Sequence, residues 1–132
     1  MRIPSELEVC LVAGDPALHE QLRALFLAAG ARLRGFDSAE ALFAAMGDAR
    51  PGCMAVSAVL PGMSGIELMH ALQCRDPGLP VVVIVEPDDV DAAVAAVRMG
   101  AAEVLEQPVS AQRLVHSLVA VARAVAPASC GR

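Results

Sequence analysis

The chain has no lysine, no tryptophan and no tyrosine, and only Phe26, Phe36 and Phe43 as aromatics among its 132 residues. All ten basic residues are arginines, outnumbered by fifteen acids, and the net charge is −5. With no basic cluster to track phosphates and few rings to stack on bases, nucleic-acid binding by this segment is not expected. Cys10, Cys53, Cys74 and Cys130 form no C-x-x-C pair and only three histidines accompany them, so neither a zinc site nor a disulfide framework is suggested. The most apolar stretch, Leu79 to Val85, falls far short of the roughly 20 residues a membrane span needs. No export segment opens the chain, so the expected location is the cytoplasm, with no membrane partner. What is present is a 56% hydrophobic composition. At this length one domain buries roughly two-thirds of its unfolded surface without a metal or cross-link.

The apolar residues alternate between strand-like and helix-like stretches. Leu7 to Ala13 reads as a strand broken by Gly14-Asp15-Pro16, where Asp15 caps a helix with Pro16 at its first position. Leu18, Leu22, Leu25 and Ala29 form that helix's stripe, and Gly30 ends it. Arg32 to Phe36 is a second strand, followed by a short helix capped by Asp37 or Ser38, carrying Ala41, Leu42 and Met46, and stopped at Gly47-Asp48. Cys53 to Val56 is short and apolar without helical period, which fits a strand covered on both faces. Pro61-Gly62 turns the chain, Ser64 caps a helix running to about Cys74, and Ile66, Met69 and His70 begin its face. Val81 to Val85 is the least ambiguous strand, because β-branched residues dominate. Val90, Val94 and Val97 are the expected inward stripe of the fourth helix, which stops at Gly100. Glu103 to Glu106 is the last strand, Gln107-Pro108 a turn, and Ser110 caps a final helix with Leu114, Leu118, Val121 and Val125 inward. Five strands alternating with five helices predict an α/β fold, a doubly wound parallel sheet. The expected organisation is an amino-terminal extension (1–7), one domain (8–125) and a frayed tail or linker start (126–132).

The organising stretch is Val56-Ser57-Ala58-Val59-Leu60-Pro61-Gly62-Met63-Ser64-Gly65, a buried strand that ends in Ser57 and reopens as a helix. A strand, an exposed end residue, a proline four positions on and then M-S-G-x-E-L resemble the central loop of bacterial response-regulator receiver domains. Val12-x-x-Asp15-Pro16-Ala17, the Arg98-Met99-Gly100-Ala101 spacing and Glu106-Gln107-Pro108 carry the resemblance without a gap from about Glu8 to Val125. It implies a flavodoxin-like (βα)5 fold with strand order 2-1-3-4-5, and a role in two-component, phosphorelay-type signalling.

The resemblance also implies which positions to inspect. Receivers take a phosphoryl group on an aspartate where this chain has Ser57. Two acids at the end of the first strand hold a divalent cation, and here they are Ala13 and Gly14. The position after that pair is Asp15, which helix capping explains. A hydroxyl residue ends the family's fourth strand, a lysine precedes its last proline and an aromatic often sits in its fifth strand; this chain has Val85, Gln107 and Val104. Neither Ala13 nor Gly14 offers a side-chain oxygen to a hard cation. Ser57 cannot form an acyl phosphate, and an unactivated hydroxyl is a weak nucleophile. Five departures on an ungapped alignment are too many for misregistration. The expected protein is an atypical receiver that binds no magnesium, needs no cofactor and catalyses nothing. By analogy with the family, Gln107-Pro108 is expected to be cis.

Apolar area then suggests a protein partner. Val115, Val119 and Ala122 make a second line on the last helix, and the fourth adds Ala92, Ala95, Ala96 and Met99. Together with Val104 these are the expected contact residues of the fourth-helix, fifth-strand, fifth-helix face through which receivers pair, including as homodimers. Glu86, Asp88, Asp89 and Asp91 lack the regular spacing of an ion-binding loop and suit a helix N-terminus. His19, His70 and His116 sit on separate helices with no nucleophile beside them. Two alternatives follow the same residues: a covalent switch at Ser57 made by a serine kinase, and a flavodoxin-like small-molecule binder. The second lacks a glycine-rich phosphate loop and an aromatic for stacking.

Overall fold

The computed structural model describes the backbone of residues 3–46 and 51–130 and the side chains of 3–45 and 51–124. The elements alternate as β1 (Glu8–Val12), α1 (Pro16–Ala29), β2 (Arg32–Phe36), α2 (Ala39–Met46), β3 (Cys53–Ser57), α3 (Gly65–Arg75), β4 (Val81–Val85), α4 (Val90–Arg98), β5 (Glu103–Glu106) and α5 (Ala111–Cys130). All strand pairs are parallel, in the order β2-β1-β3-β4-β5. The α/β class and the 2-1-3-4-5 order are therefore as expected. The stops placed at Gly47 and Asp48 lie outside the described residues, as do the side chains of Met46 and Val125.

Period-two alternation along the strands divides the interior into two cores. Val9, Leu11, Cys53, Ala55, Val82 and Ile84 face α1 and α5, while Cys10, Val12, Met54, Val56, Val81, Val83 and Val85 face α2, α3 and α4. The caps are local chemistry. Asp15 Oδ1 accepts from the Ala17 N–H at 3.0 Å, Gly30 closes α1 at φ 74°, and Ser38 and Ser110 accept from the N–H groups of Ala41 and Arg113. Ser64 and Glu67 form a reciprocal capping box at the start of α3.

Helix faces depart from the sequence pattern in several places. On α1 the third fully buried residue is Phe26, with Leu25 and Ala29 only partly covered. On α3, Leu68, Met69 and Leu72 point inward, Ile66 is half-buried and His70 faces solvent.

The largest correction concerns α4. Val90, Val94 and Val97 are 68%, 43% and 63% exposed, whereas Ala96 is fully buried and Ala92, Ala93 and Met99 pack against the core. Ala95 is half-buried. Valines already fill that side of β4, and Val104 adds to them from β5. Small side chains let the helix axis approach such a surface, so the alanine stripe goes inward.

A second correction concerns α5. Val115 and Val119 are buried in the α1/α5 core beside Leu114 and Leu118, and Ala122 is partly buried there. They are packing residues, not contact surface. The helix also continues to Cys130, past Val125 where the expected domain ends.

Cys10 and Cys53 are small core residues. Burial pushes the Cys53 thiol up to about 12. Burial likewise lifts Cys10 to about 11, with the Arg34 guanidinium pulling the other way. Since the thiolate is the nucleophile, iodoacetamide at neutral pH should modify exposed Cys74 while leaving Cys10 and Cys53 unmodified in the native protein. Peptide mapping checks this. These two groups favour the fold while neutral. Their contribution is complete below the ordinary thiol value of 9.0 and is lost as pH rises from there through about 11 and about 12.

Candidate functional site

In open α/β sheets, chemistry gathers outside the carboxyl ends of the strands where the chain order reverses. Here that point lies between β1 and β3. Their register pairs Val12 with Val56, so Ala13 and Ser57, each one residue further on, flank the crevice. The Ser57–Ile84 register brings the end of β4 alongside, and the Gln107 N–H donates to the Val85 carbonyl at 2.9 Å, drawing in the loop after β5. Ala13, Ser57, Val85 and Gln107 thus share one edge of the sheet.

Side-chain chemistry at this edge is sparse. Ala13 and Val85 are buried methyl-bearing residues, and Gly14 is exposed with open space around its α-carbon. Ser57, expected to be an exposed strand end, is instead buried, because the β3–α3 loop folds back over it, and its hydroxyl donates to the Val59 carbonyl at 3.2 Å. Gln107 Oε1 accepts from the Val109 N–H at 3.2 Å, and the Gln107-Pro108 bond is cis, as expected. Asp15 is exposed and engaged as the cap of α1.

Two residues belong to this edge through contacts that the sequence does not indicate, His19 and Glu40. His19 Nε2–H donates to the Ala13 carbonyl at 2.6 Å, and its ring lies so close to Gly35 that a Cβ there would come within 2.6 Å of Nδ1. On α2, Glu40 reaches the loop after β3, where Oε2 lies 3.4 Å from the Met63 N–H and beside Gly62, whose φ is 73°. The Glu40 contact spans 23 residues, while His19 and Ala13 lie six apart on either side of the β1–α1 turn, and no helix or strand period signals either bond.

The β3–α3 loop folds back on the strand it leaves. The Gly65 N–H donates to the Ala58 carbonyl at 3.0 Å, and a Cβ at Gly65 would fall on the Ser57 carbonyl oxygen. Only glycine permits that approach.

The acidic group beyond β4 is organised as a helix start. Asp89 accepts from the Ala92 N–H at 3.1 Å, while Asp88, at φ 66°, donates its N–H to Glu106 at 3.2 Å. Among the described residues, no three His, Cys, Asp or Glu side chains converge as a metal-ligand group, and no helix is long and apolar enough to cross a membrane. His19, His70 and His116 remain on different helices.

Comparison with known proteins gives one consistent answer. The family model for the response regulator receiver domain matches residues 9–119. The C4-dicarboxylate transport transcriptional regulatory protein DctD of Pseudomonas aeruginosa is 34% identical over 114 residues, which is 86% of this chain and 25% of that protein. The transcriptional regulatory protein FixJ of Azorhizobium caulinodans is 34% identical over 106 residues, 80% of this chain and 50% of that protein. The chain thus spans half or less of the length of these two relatives. Among solved structures, full-length FixJ from B. japonicum superposes with a TM-score of 0.80 at 29% identity, over 92% of this chain and 60% of that one. The receiver domain of NtrX from Brucella abortus does so at 0.78 and 25%, over 87% and 98%.

Proposed function

The chain belongs to the response regulator receiver domain family, and from that premise we propose that it signals by protein contact alone, without accepting a phosphoryl group. Its general role is that of a receiver module in two-component signalling. The carrying observation is the chemistry of the sheet edge. Ala13, Gly14 and Ser57 supply no carboxylate, and three of the oxygens nearby are engaged in hydrogen bonds: the Ala13 carbonyl to His19, Asp15 Oδ1 to Ala17, and the Ser57 hydroxyl donating to Val59. A magnesium ion prefers several carboxylates and carbonyls in a near-octahedral shell, and this donor set does not fit it. Val85 cannot bond a phosphoryl oxygen, and Gln107 offers a dipole where a full positive charge would be needed.

Magnesium with a small phosphodonor such as acetyl phosphate should therefore leave both the intact mass and the melting temperature unchanged. A gain of one phosphoryl mass, or a magnesium-dependent rise in melting temperature, would sink the proposal. A kinase-made switch at Ser57, against which its burial and bonded hydroxyl already weigh, is tested by mass spectrometry of protein from the native host, where phosphate on Ser57 would support it.

The contact surface lies on the α4, β5, α5 face, but its carriers are Val90, Val94 and Val97, spaced i, i+4, i+7 and exposed. Val104 borders them, half-buried. Exposed Asp91 and Arg98 lie at opposite ends of α4 on the same flank of the valine stripe. In an isologous pair with antiparallel α4 helices, Asp91 of each copy meets Arg98 of the other, so a second copy is the partner this stripe suits.

A further inference from the structure

We propose that the free edge of β2 is a docking site for an extended, acidic segment of another protein, which adds to the sheet as a sixth strand. It lies away from the crevice between β1 and β3 and is independent of the chemistry there.

β2 ends the sheet. The Arg32 N–H donates to the Leu7 carbonyl at 3.2 Å, and the Phe36 carbonyl accepts from the Ala13 N–H at 3.0 Å. In a parallel ladder alternate residues turn their polar groups to the same neighbour. Arg32, Arg34 and Phe36 therefore bond inward to β1, while the backbone groups of Leu33 and Gly35 point away from it. Such a row is a template for strand addition.

Charge selects the occupant. From Gln21 to Phe36 the chain carries Arg23, Arg32 and Arg34 and no acid, although the whole chain is at −5. These three arginines, with Glu8 as the one acid, line a cleft of about 540 Å³ that also takes in Leu27 and Leu33. Arg34 is anchored, donating to the Ala45 carbonyl at 3.2 Å with its guanidinium 5.6 Å from the Phe36 ring centroid. Arg23 and Arg32 are exposed and have no ion-pair partner among the described residues.

The two sides of the edge differ. Leu33 belongs to the α1 side, where Leu27 is 78% exposed; Arg32 and Arg34, one residue out of step, face the other side. A strand with alternating apolar and acidic residues would lay the first kind on the leucines and the second on the guanidiniums, which match carboxylates in bidentate geometry. The same arginines oppose pairing with a second copy of β2, since like charges would then face each other.

The test is a capped hexapeptide of alternating valine and glutamate, titrated against the whole chain. Saturable binding weakened by salt is expected, with amide exchange of Leu33 and Gly35 slowed at least about tenfold by the new ladder. Arg23→Glu with Arg32→Glu should weaken binding about tenfold or more, while Arg123→Glu, exposed on α5, should leave it unchanged. Absence of saturable binding at low salt would overturn the proposal. So would equal binding of the peptide methylated on alternate amide nitrogens, or of an oligonucleotide of matched charge, because either result reduces the site to unspecific attraction. Protection of Leu33 and Gly35 that grows with protein concentration alone would assign the edge to a second copy and equally refute it.

Discussion

Gly65→Ala should lower the melting temperature by roughly 10 °C, corresponding to about 3 kcal/mol of lost stability. The new Cβ would meet backbone atoms of Ser57 and Ala58, and none is a flexible side-chain end that could swing aside. Relief requires moving the start of α3 away from the end of β3, breaking the Gly65–Ala58 hydrogen bond and the capping box one residue upstream. Gly14→Ala is the control. Gly14 is exposed, has no heavy atom within 4 Å of where a β-carbon would sit and lies outside the left-handed region, so its substitution should change stability by less than about 1 kcal/mol. Thermal denaturation of the two variants separates crowding at Gly65 from a general need for glycine near the crevice. Equal effects would show that Gly65 is not tightly placed.

Val119→Asp should destabilise the chain by about 3 to 5 kcal/mol, because a carboxylate at a side chain only 4% exposed has no partner. Val94→Asp, on α4, should leave the melting temperature within about 1 °C and abolish association in sedimentation. The pair of variants discriminates between two readings of the apolar surface. Were Val119 a contact residue, as its spacing on α5 suggests, its aspartate variant would fold normally and stay monomeric. The structure places it instead among Val9, Leu114 and Leu118 in the α1/α5 core. Retained association by a folded Val94→Asp chain would remove the valine stripe as the contact surface.

How far the site could be read from the sequence depended on the range of each interaction. Asp15, Ser64 and Ser110 cap helices through bonds to residues two or three positions away, and composition near each helix start was enough to find them. Ala13, Ser57, Val85 and Gln107 could be grouped only through the resemblance to receivers, because nothing in their own spacing brings four strand ends together. The role of Glu40 is not legible in the sequence for a related reason. Its side chain reaches a loop 23 residues further along the chain, a contact that exists only once the sheet is assembled, whereas the His19 bond to the Ala13 carbonyl spans six residues and needs only α1 packed back on the end of β1.

Element type and order followed from the sequence itself: the run of β-branched residues in β4, the Gly and Pro breaks and the capping residues act locally and have one favourable outcome. Which way α4 and α5 face was decided only in three dimensions. Val90, Val94 and Val97 and the stripe of Ala92, Ala96 and Met99 both satisfy a helical period, so periodicity could not choose between them. Close packing did: a sheet surface already crowded with valines accepts a helix lined with methyl groups more readily than one lined with further branched side chains, and Val90, Val94 and Val97 stay exposed.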